Sequence, residues 1–235
     1  MRYYPLFLDV SGKKCLIAGG GKVGTRKAQT LCRCGAKVTV VSPLFSEPLM
    51  EFAQRHPLTL KKKAYETADL EGAFLIIAAT GDRPLNQAIR NDAKRMKILC
   101  NIADQPEESD FIVPSVVSRG DLSVAVSTSG KSPALAKKLR KELEQAFGWE
   151  YGPSLTLLGR LREKLLSESH DPEGHKAIFE ALVHNGLTEL IREGNLDRIE
   201  TLLYEATGNA YRIEEIISKE ELKPQGGSVD TNTHV

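Results

Sequence analysis

Short apolar runs alternate with amphipathic stretches of helical length over the first half of the chain. The runs have the length of buried strands and occupy residues 15–18, 38–41, 58–60, 74–79 and 98–101. Helical periods fall between them, at about residues 23–34, 45–56 and 84–95. Because strands that alternate with helices at this spacing form parallel sheets, the sequence predicts an α/β fold with a doubly wound parallel sheet through about residue 113.

The pattern changes after this sheet. Two β-rich runs, residues 111–117 and 122–126, have no helix between them and indicate a hairpin. A polar loop follows, and then an amphipathic helix over about residues 134–147, with Ser132 as a suitable N-cap and Pro133 as a suitable first residue. We expect the hairpin, which has no covering helix in the sequence, to pack across a two-fold axis in a homodimer.

The rest of the chain has no strand pattern and is predicted to be helical. Helical periods occupy residues 155–166, 176–183, 187–191, 196–204 and 211–217. The segment after Lys223 is polar and contains two adjacent glycines, so residues 224–235 are predicted to form a disordered tail.

A glycine-rich motif joins the first predicted strand to the first predicted helix. Gly19, Gly21 and Gly24 have the spacing G-x-G-x-x-G. In a dinucleotide-binding domain of Rossmann type, these glycines permit a tight turn, contact between backbone and pyrophosphate, and close packing of helix on strand. The helix start at Lys22 and Val23 offers free N–H groups to that pyrophosphate. We therefore predict dinucleotide binding at this motif rather than a structural turn.

The second predicted strand lacks the acidic residue that usually binds the adenine ribose. It continues into Ser42, Pro43 and Leu44, so the Ser42 hydroxyl or the backbone of its neighbours has to take that role. No arginine follows directly to hold a 2′-phosphate, which favours NAD over NADP. Thr80 and Asn101 lie at the ends of two further strands and are also predicted to bind the cofactor, because open α/β sheets bind ligands at this edge.

Composition and charge give no indication of a nucleic-acid or membrane partner. The chain has 32 lysines and arginines against 31 aspartates and glutamates, a formal net charge of +1. The N-terminus lacks the long apolar core of a signal peptide and no run reaches membrane-spanning length, so we expect a cytoplasmic protein. The four cysteines have neither zinc nor redox spacing and are expected to be buried, reduced thiols.

The polar loop at residues 127–133 ends as a Walker phosphate loop does, but Ala125 stands where the first glycine is required. We therefore reject ATP binding. A helix start rich in hydroxyl groups, with Lys131 beside it, still suits an anion.

Six motifs occur in the order found in one known family. They are YPLFL at residues 4–8, GGGKVG at 19–24, AAT at 78–80, NIAD at 101–104, FIVPS at 111–115 and STSGKSP at 127–133. Over about residues 3–147 the chain thus resembles the siroheme synthase family, the precorrin-2 dehydrogenases that are often also sirohydrochlorin ferrochelatases. The helical C-terminal region agrees with the family only in kind.

The resemblance implies an NAD-binding Rossmann domain at residues 1–113, a dimerisation and substrate-binding region at 114–149, and a helical C-terminal domain at 150–223. It also implies that precorrin-2 is oxidised to sirohydrochlorin with NAD as the hydride acceptor, and in many members that Fe²⁺ is inserted to give siroheme.

The tetrapyrrole substrate that the resemblance implies carries many carboxylates. The residues predicted to bind them are Arg119, Thr128, Ser129 and Lys131. Three further cations, Lys137, Lys138 and Arg140, either join this cradle or form a solvated helix face.

The family's key carboxylate corresponds to Asp104, just past a predicted strand. A carboxylate there can take the proton that leaves as the hydride departs, and can assist pyrrole deprotonation during metal insertion. The alternative is a loop aspartate that caps a turn. The five histidines show no ligand spacing, so no fixed metal site is predicted and the tetrapyrrole nitrogens would hold the metal.

Two other functions stay open at this point. One is an NAD-dependent oxidoreductase of another small substrate, which the anion-binding loop and the hairpin disfavour. The other is a regulatory module that binds NAD without chemistry, which Asp104 and the helical domain disfavour.

Overall fold

The computed structural model describes residues 2–209 and 211–224. Residues 225–235 of the predicted tail lie outside the described residues. Within the described part, the chain divides into two compact units. The first runs up to Val113 and includes Ser129–Lys131, whereas the second contains Pro114–Thr128 and continues from Ser132.

The first unit is built on a five-stranded parallel sheet with the strand order β3-β2-β1-β4-β5. The strands are β1 (Lys14–Gly20), β2 (Lys37–Phe45), β3 (Leu58–Lys61), β4 (Leu75–Ala78) and β5 (Leu99–Ile102). Its helices are α1 (Lys22–Arg33), α2 (Glu47–Arg55) and α3 (Arg83–Arg95). The strand order reverses between β1 and β4, so the predicted doubly wound α/β class is confirmed.

Alternate side chains of the strands bury opposite faces of this sheet. On one face, Ile17 of β1 packs with Ala28 of α1 and Leu49 of α2. On the other face, Leu16 of β1 packs with Ile89 of α3. All five of these side chains are fully buried, and burying each large one stabilises the fold by about 1.5–3 kcal/mol. The glycine motif at the end of β1 therefore follows a strand that is buried from Cys15 onward.

The second unit begins with an antiparallel hairpin, β6 (Ser115–Arg119) and β7 (Leu122–Val126), followed by α4 (Pro133–Ala146). The Ser132 hydroxyl accepts a hydrogen bond from the Leu135 N–H at 3.2 Å, so the predicted N-cap is confirmed. Helix α4 packs against both strands of the hairpin, and Val117 and Ala136 are buried there. The premise that no helix covers the hairpin is therefore wrong, because the helix that follows it folds back onto it.

Four further helices surround a separate apolar core. They are α5 (Tyr151–Glu168), α6 (Pro172–His184), α7 (Leu187–Glu193) and α8 (Leu196–Thr207). The helix predicted at residues 211–217 is wrong, since this segment forms only a 3₁₀ turn at Ile213–Glu215. Ile213, Ile216 and Ile217 are buried in the same core, and one tight turn is enough to bring side chains at this spacing together.

The cysteines are free thiols but differ in exposure. Cys15 and Cys100 are buried, and burial raises the pKa of each thiol to about 11, which makes them unreactive. Cys32 is partly buried and Cys34, the C-cap of α1, is exposed, so the expectation of four buried thiols is wrong for these two. Within residues 2–209 and 211–224, no helix has the length and apolar character needed to cross a bilayer.

Candidate active site

The glycine motif forms a tight loop between β1 and α1 that side chains would obstruct. Gly19 has a φ of +118°, and a Cβ there would overlap the Ala79 carbonyl oxygen. A Cβ on Gly24 would overlap the Gly19 carbonyl oxygen, so the third glycine does allow the helix to pack on the end of the strand. Gly21 faces open space, because no described atom beyond the adjoining backbone lies within 4 Å of the position that its Cβ would take.

The start of α1 is built to receive an anion. It has no side-chain N-cap and no acidic residue in its first turn, whereas α3 and α4 are capped by Asp82 and Ser132. The first intrahelical bond runs from the Thr25 N–H to the Gly21 carbonyl at 2.9 Å. The N–H groups of Lys22 and Val23 therefore have no acceptor within the helix, and they lie at the positive end of its dipole. Together with the open space at Gly21, these groups fit a dinucleotide pyrophosphate.

Two hydroxyl groups that the sequence analysis missed hold the glycine loop in place. The Thr25 hydroxyl donates to the Gly21 carbonyl at 2.9 Å and lies 2.9 Å from the Ser46 hydroxyl. The Ser46 N–H donates to the Gly20 carbonyl at 2.8 Å. The loop is thus tied to the junction of β2 and α2. In the sequence, the threonine directly after Gly24 is the feature that could have indicated this contact.

The residues predicted at the adenosine end lie within β2 rather than after it. Ser42 is buried, while Pro43 and Leu44 are exposed, Leu44 by 77%. The strand continues because Gly20 pairs with Phe45 beyond a register shift, and a Cβ on Gly20 would overlap the Leu44 carbonyl oxygen. Phe45 therefore ends β2, and the prediction that it begins a helix is wrong.

Thr80, at the end of β4, is clamped by a buried amide. The Thr80 hydroxyl lies 2.6 Å from Asn86 Oδ1, and Asn86 Nδ2 donates to the Thr80 carbonyl at 3.1 Å. The Thr80 N–H also donates to Asn86 Oδ1, at 3.3 Å. Asn86 is 1% exposed and belongs to α3, so this contact joins two elements and no local sequence pattern indicates it.

The ends of β4 and β5 lie side by side. Ala78 pairs with Ile102, and the Ala103 N–H donates to the Ala78 carbonyl at 3.0 Å. Asn101 is buried and its Nδ2 donates to the Phe111 carbonyl at 2.9 Å, so its amide orders the chain that returns along β5. Thr80, Asn101 and the glycine loop thus all lie at the carboxyl edge of neighbouring strands.

Asp104 lies on the turn that leaves β5, and its side chain is exposed. The turn is closed by other groups: the Gln105 N–H donates to the Ile102 carbonyl at 3.2 Å, and the Ser109 hydroxyl donates to the Gln105 carbonyl at 2.9 Å. Ser109 also accepts a hydrogen bond from the Ile102 N–H at 2.9 Å. Among the described residues, the Asp104 carboxylate has no hydrogen bond or ion pair. The alternative role of capping a turn therefore belongs to Ser109, and the Asp104 carboxylate faces solvent.

An ion pair anchors the far end of this loop. Arg90 of α3 donates to both oxygens of Asp110, at 2.8 and 2.6 Å. The same aspartate accepts a hydrogen bond from the Cys100 N–H at 2.9 Å. Sequence reasoning missed both residues, because the contact joins two elements that are distant in the chain.

Two of the predicted substrate-binding residues lie beside the Asp104 loop in the first unit. Gly130, at a φ of +79°, packs on Pro106, whose Cγ would be 3.3 Å from a Cβ on that glycine. This contact brings the neighbouring Ser129 and Lys131 close to the loop. The Tyr3 hydroxyl donates to the Pro106 carbonyl at 3.0 Å, so the N-terminal segment also contacts the loop.

The other two predicted substrate-binding residues belong to the second unit and contact backbone there. Arg119 donates to the carbonyls of Glu144 and Ser118, at 3.0 and 2.9 Å. The Thr128 hydroxyl accepts a hydrogen bond from the Ser132 N–H at 3.2 Å. Both residues thus order the local backbone in the structure.

The three cations of α4 do not behave alike. Lys137 and Lys138 are exposed, as a solvated face predicts. Arg140 is 3% exposed and pairs with Glu144 on the same helix. Neither the cradle nor a solvated face fits Arg140, because its side chain is buried and already paired with Glu144. In the described part of the chain, no group of three or more His, Cys, Asp or Glu side chains is placed to hold a metal ion.

Comparison with protein families agrees with this geometry. Residues 6–115 match a family model described as putative NAD(P)-binding, and residues 119–146 match one described as sirohaem biosynthesis protein central. The chain is therefore an NAD(P)-binding protein of the doubly wound α/β class. More specifically, the relatives that it matches over most of its length are those of the siroheme synthase family.

The relatives extend over most of the chain. The siroheme synthase of Methylococcus capsulatus is 37% identical over 229 residues, which are 97% of this chain and 47% of the relative. That of Nitrosococcus oceani is 34% identical over 203 residues, 86% of this chain and 43% of the relative. The chain thus spans about half the length of the curated relatives it matches. A solved structure of SirC, precorrin-2 dehydrogenase, matches with a TM-score of 0.72 and 26% identity, covering 88% of this chain and 100% of that one.

Proposed function

We propose that the protein oxidises precorrin-2 to sirohydrochlorin with NAD⁺ as the hydride acceptor, as an oxidoreductase of siroheme biosynthesis. The observation that carries this proposal is the Asp104 carboxylate, which is exposed, has no partner among the described residues, and is presented by an anchored loop at the carboxyl edge of the sheet. The names of the relatives and of the matched structure support the choice of substrate.

The cofactor is held at the same edge. Bound NAD⁺ supplies the acceptor for a hydride. The N–H groups of Lys22, Val23 and Gly24 bind its pyrophosphate, because they have no acceptor within α1. Ser42, Pro43 and Leu44 bind the adenosine end, and none of them offers a positive charge for a 2′-phosphate. Thr80 and Asn101 border the nicotinamide end, and we infer a preference for NAD over NADP.

Asp104 acts as the general base. Removal of two electrons as hydride from a C–H bond leaves the substrate with one proton to lose, and the Asp104 carboxylate accepts it and passes it to water. A positioned base of this kind contributes about 10²–10⁴-fold to the rate. The carboxylate can take this role because it is not already paired with a cation.

We propose that the substrate's carboxylates bind positive and polar groups beside the loop that carries Asp104. Lys131 and Ser129 lie beside Pro106 and are our first candidates. Arg119 and Thr128, in the second unit, are proposed from the family resemblance alone, and in this structure they contact the backbone of their own unit.

Iron insertion is the second part of the proposal. The curated relatives are named for siroheme, and the Asp104 carboxylate is also suited to accept protons from pyrrole nitrogens. Fe²⁺ would be a substrate, held by the nitrogens of the macrocycle.

We further propose that the protein is cytoplasmic and forms a homodimer. The dimer is supported by the β6–β7 sheet, because both of its strands keep an unpaired outer edge among the described residues. Sedimentation that shows a monomer at micromolar concentration would contradict the dimer.

The test is direct. Purified protein is mixed with precorrin-2 and NAD⁺, and the appearance of the sirohydrochlorin absorption is followed. A regulatory module that binds NAD without chemistry gives no such signal. A second sample receives sirohydrochlorin and Fe²⁺, so that iron insertion is measured independently of dehydrogenation.

A further inference from the structure

The loop of residues 103–110 leaves the sheet at its edge, where no further strand of the described residues holds it. β5 is the last strand in the order, so its outer side is available to the returning chain. The returning chain uses this side: the Asp110 N–H donates to the Cys100 carbonyl at 2.8 Å, and Cys100 in turn donates its N–H to Asp110 Oδ2 at 2.9 Å. The orientation of the loop therefore depends on where the Asp110 side chain is held.

Arg90 holds that side chain in a geometry that only a guanidinium provides. Its two terminal nitrogens donate to the two oxygens of Asp110, at 2.8 and 2.6 Å. Such a fork fixes the plane of the carboxylate as well as its position. Arg90 follows directly after the fully buried Ile89, so its backbone is fixed by the core on that face of the sheet.

A displacement of the loop at Asp110 would also displace Asp104, because hydrogen bonds within the loop make it stiff. Ser109 joins Ile102 to Gln105 through its hydroxyl, and residues Pro106–Glu108 form a 3₁₀ turn. We therefore expect the segment between Asp110 and Asp104 to keep its shape if the loop is displaced. The ion pair itself is partly exposed, with 17% and 31% of the two side chains accessible, so its expected contribution to overall stability is small.

We propose that Arg90 and Asp110 are positioning residues for the Asp104 carboxylate. This inference rests on the proposed function, since it assigns the pair a role through the general base of that reaction. Neither residue is expected to touch the substrate or the cofactor. Their role is to hold the loop in the orientation in which Asp104 meets the proton that it removes.

The experiment compares Arg90→Lys with a control on the same helix. Lysine keeps the charge but offers a single point contact in place of the fork. The control is Arg95→Lys, because Arg95 forms a one-sided ion pair with Asp92 at 2.7 Å and does not contact the loop. We expect Arg90→Lys to lower kcat at least tenfold, with the NAD⁺ dissociation constant and Tm close to wild type. Arg95→Lys should match wild type in all three.

A double-mutant cycle separates positioning from a general structural effect. Asp104→Asn, Arg90→Lys and the double variant are measured in single turnovers with enzyme in excess, so that slow rates are recorded. If Arg90 acts through Asp104, the double variant is no slower than Asp104→Asn. Multiplication of the two losses, or a wild-type kcat for Arg90→Lys, would overturn the positioning role. A wild-type rate for Asp104→Asn alone would instead overturn the proposed base, and the inference with it.

Discussion

The Thr25 hydroxyl lies 2.9 Å from the Ser46 hydroxyl and thereby joins the glycine loop to the start of α2. Thr25 also donates to the Gly21 carbonyl, so one side chain holds the part of the loop that faces the proposed pyrophosphate site. An anion site made of backbone N–H groups depends on their fixed direction, since none of them can be rotated independently. The two hydroxyl groups therefore support the proposed cofactor site although they need not touch the cofactor.

We expect Thr25→Val to raise the dissociation constant for NAD⁺ about fivefold, because a hydrogen bond of this kind contributes about 1 kcal/mol. Calorimetric titration measures the change. The control is Thr30→Val on the same helix, whose hydroxyl donates only to the Arg26 carbonyl of α1 at 3.1 Å. Equal affinities for the two variants would show that the contact with Ser46 does not order the loop.

Gly21→Asp tests the pyrophosphate site. The added side chain has space, since no described atom beyond the adjoining backbone lies within 4 Å of its Cβ, but it places a negative charge where we propose that the pyrophosphate binds. We expect NAD⁺ binding to be lost while circular dichroism stays as in wild type. Gly159→Asp, an exposed helical glycine of α5 with equally open surroundings, is the matched control and should bind NAD⁺ normally. Unchanged affinity in Gly21→Asp would remove the assignment of this loop.

Asn86→Leu tests the clamp on Thr80. Leucine keeps the volume but removes the amide groups that bind the Thr80 backbone and hydroxyl. We expect the free energy of unfolding, measured in urea, to fall by about 1–3 kcal/mol, because these partners lose their hydrogen bonds. Asn91→Leu, at an exposed position of the same helix, serves as the comparison. If both variants unfold at the same urea concentration, the clamp does not stabilise this edge.

The thermal stability of the protein at acid pH tests an ion pair of the second unit. The Arg160 guanidinium donates to both oxygens of Glu221, and with Ser218 it lowers the pKa of that carboxyl from 4.5 to about 2. A carboxyl with a lowered pKa in the folded protein stabilises the fold above its ordinary pKa, and this contribution is lost as the pH falls through the folded value. We therefore expect Glu221→Gln to lower Tm at pH 7 and to approach wild type between pH 4.5 and 2.

Thermal scans across this pH range measure the difference between variant and wild type. Glu220→Gln, at the neighbouring exposed position, should show no such convergence. A Tm difference for Glu221→Gln that is the same at pH 2 and pH 7 would show that the ion pair with Arg160 does not stabilise this unit.

The parts of the fold that depend on neighbours in the chain were predictable from the sequence. The apolar runs predicted all five strands of the sheet, and the glycine spacing predicted the loop between β1 and α1. Ser132 and Pro133 predicted the start of α4, because capping is a local interaction. The contacts of Asn86 with Thr80 and of Arg90 with Asp110 were not predictable, since each joins two elements whose approach is set by the packing of α3 on the sheet.

The errors have the same origin. The hairpin was expected to have no covering helix, because the sequence does not show that α4 folds back over it. Residues 211–217 have apolar side chains at helical spacing, but a short 3₁₀ turn buries them equally well. Asp104 was predicted as the base from its place after a strand and from the family resemblance, and its assignment stays a prediction.

The most direct test of the account is the rate at which Asp104→Asn forms sirohydrochlorin from precorrin-2 and NAD⁺. Asparagine keeps the shape of the side chain and removes the basic oxygen, so we expect the rate to fall by about 10²–10⁴-fold, or roughly 3–5 kcal/mol of transition-state stabilisation. The affinity for NAD⁺ should remain that of wild type, because the proposed pyrophosphate site is at the glycine loop. With sirohydrochlorin and Fe²⁺, the same variant shows whether iron insertion shares this base. A rate close to wild type in the dehydrogenase assay would contradict the central role of Asp104.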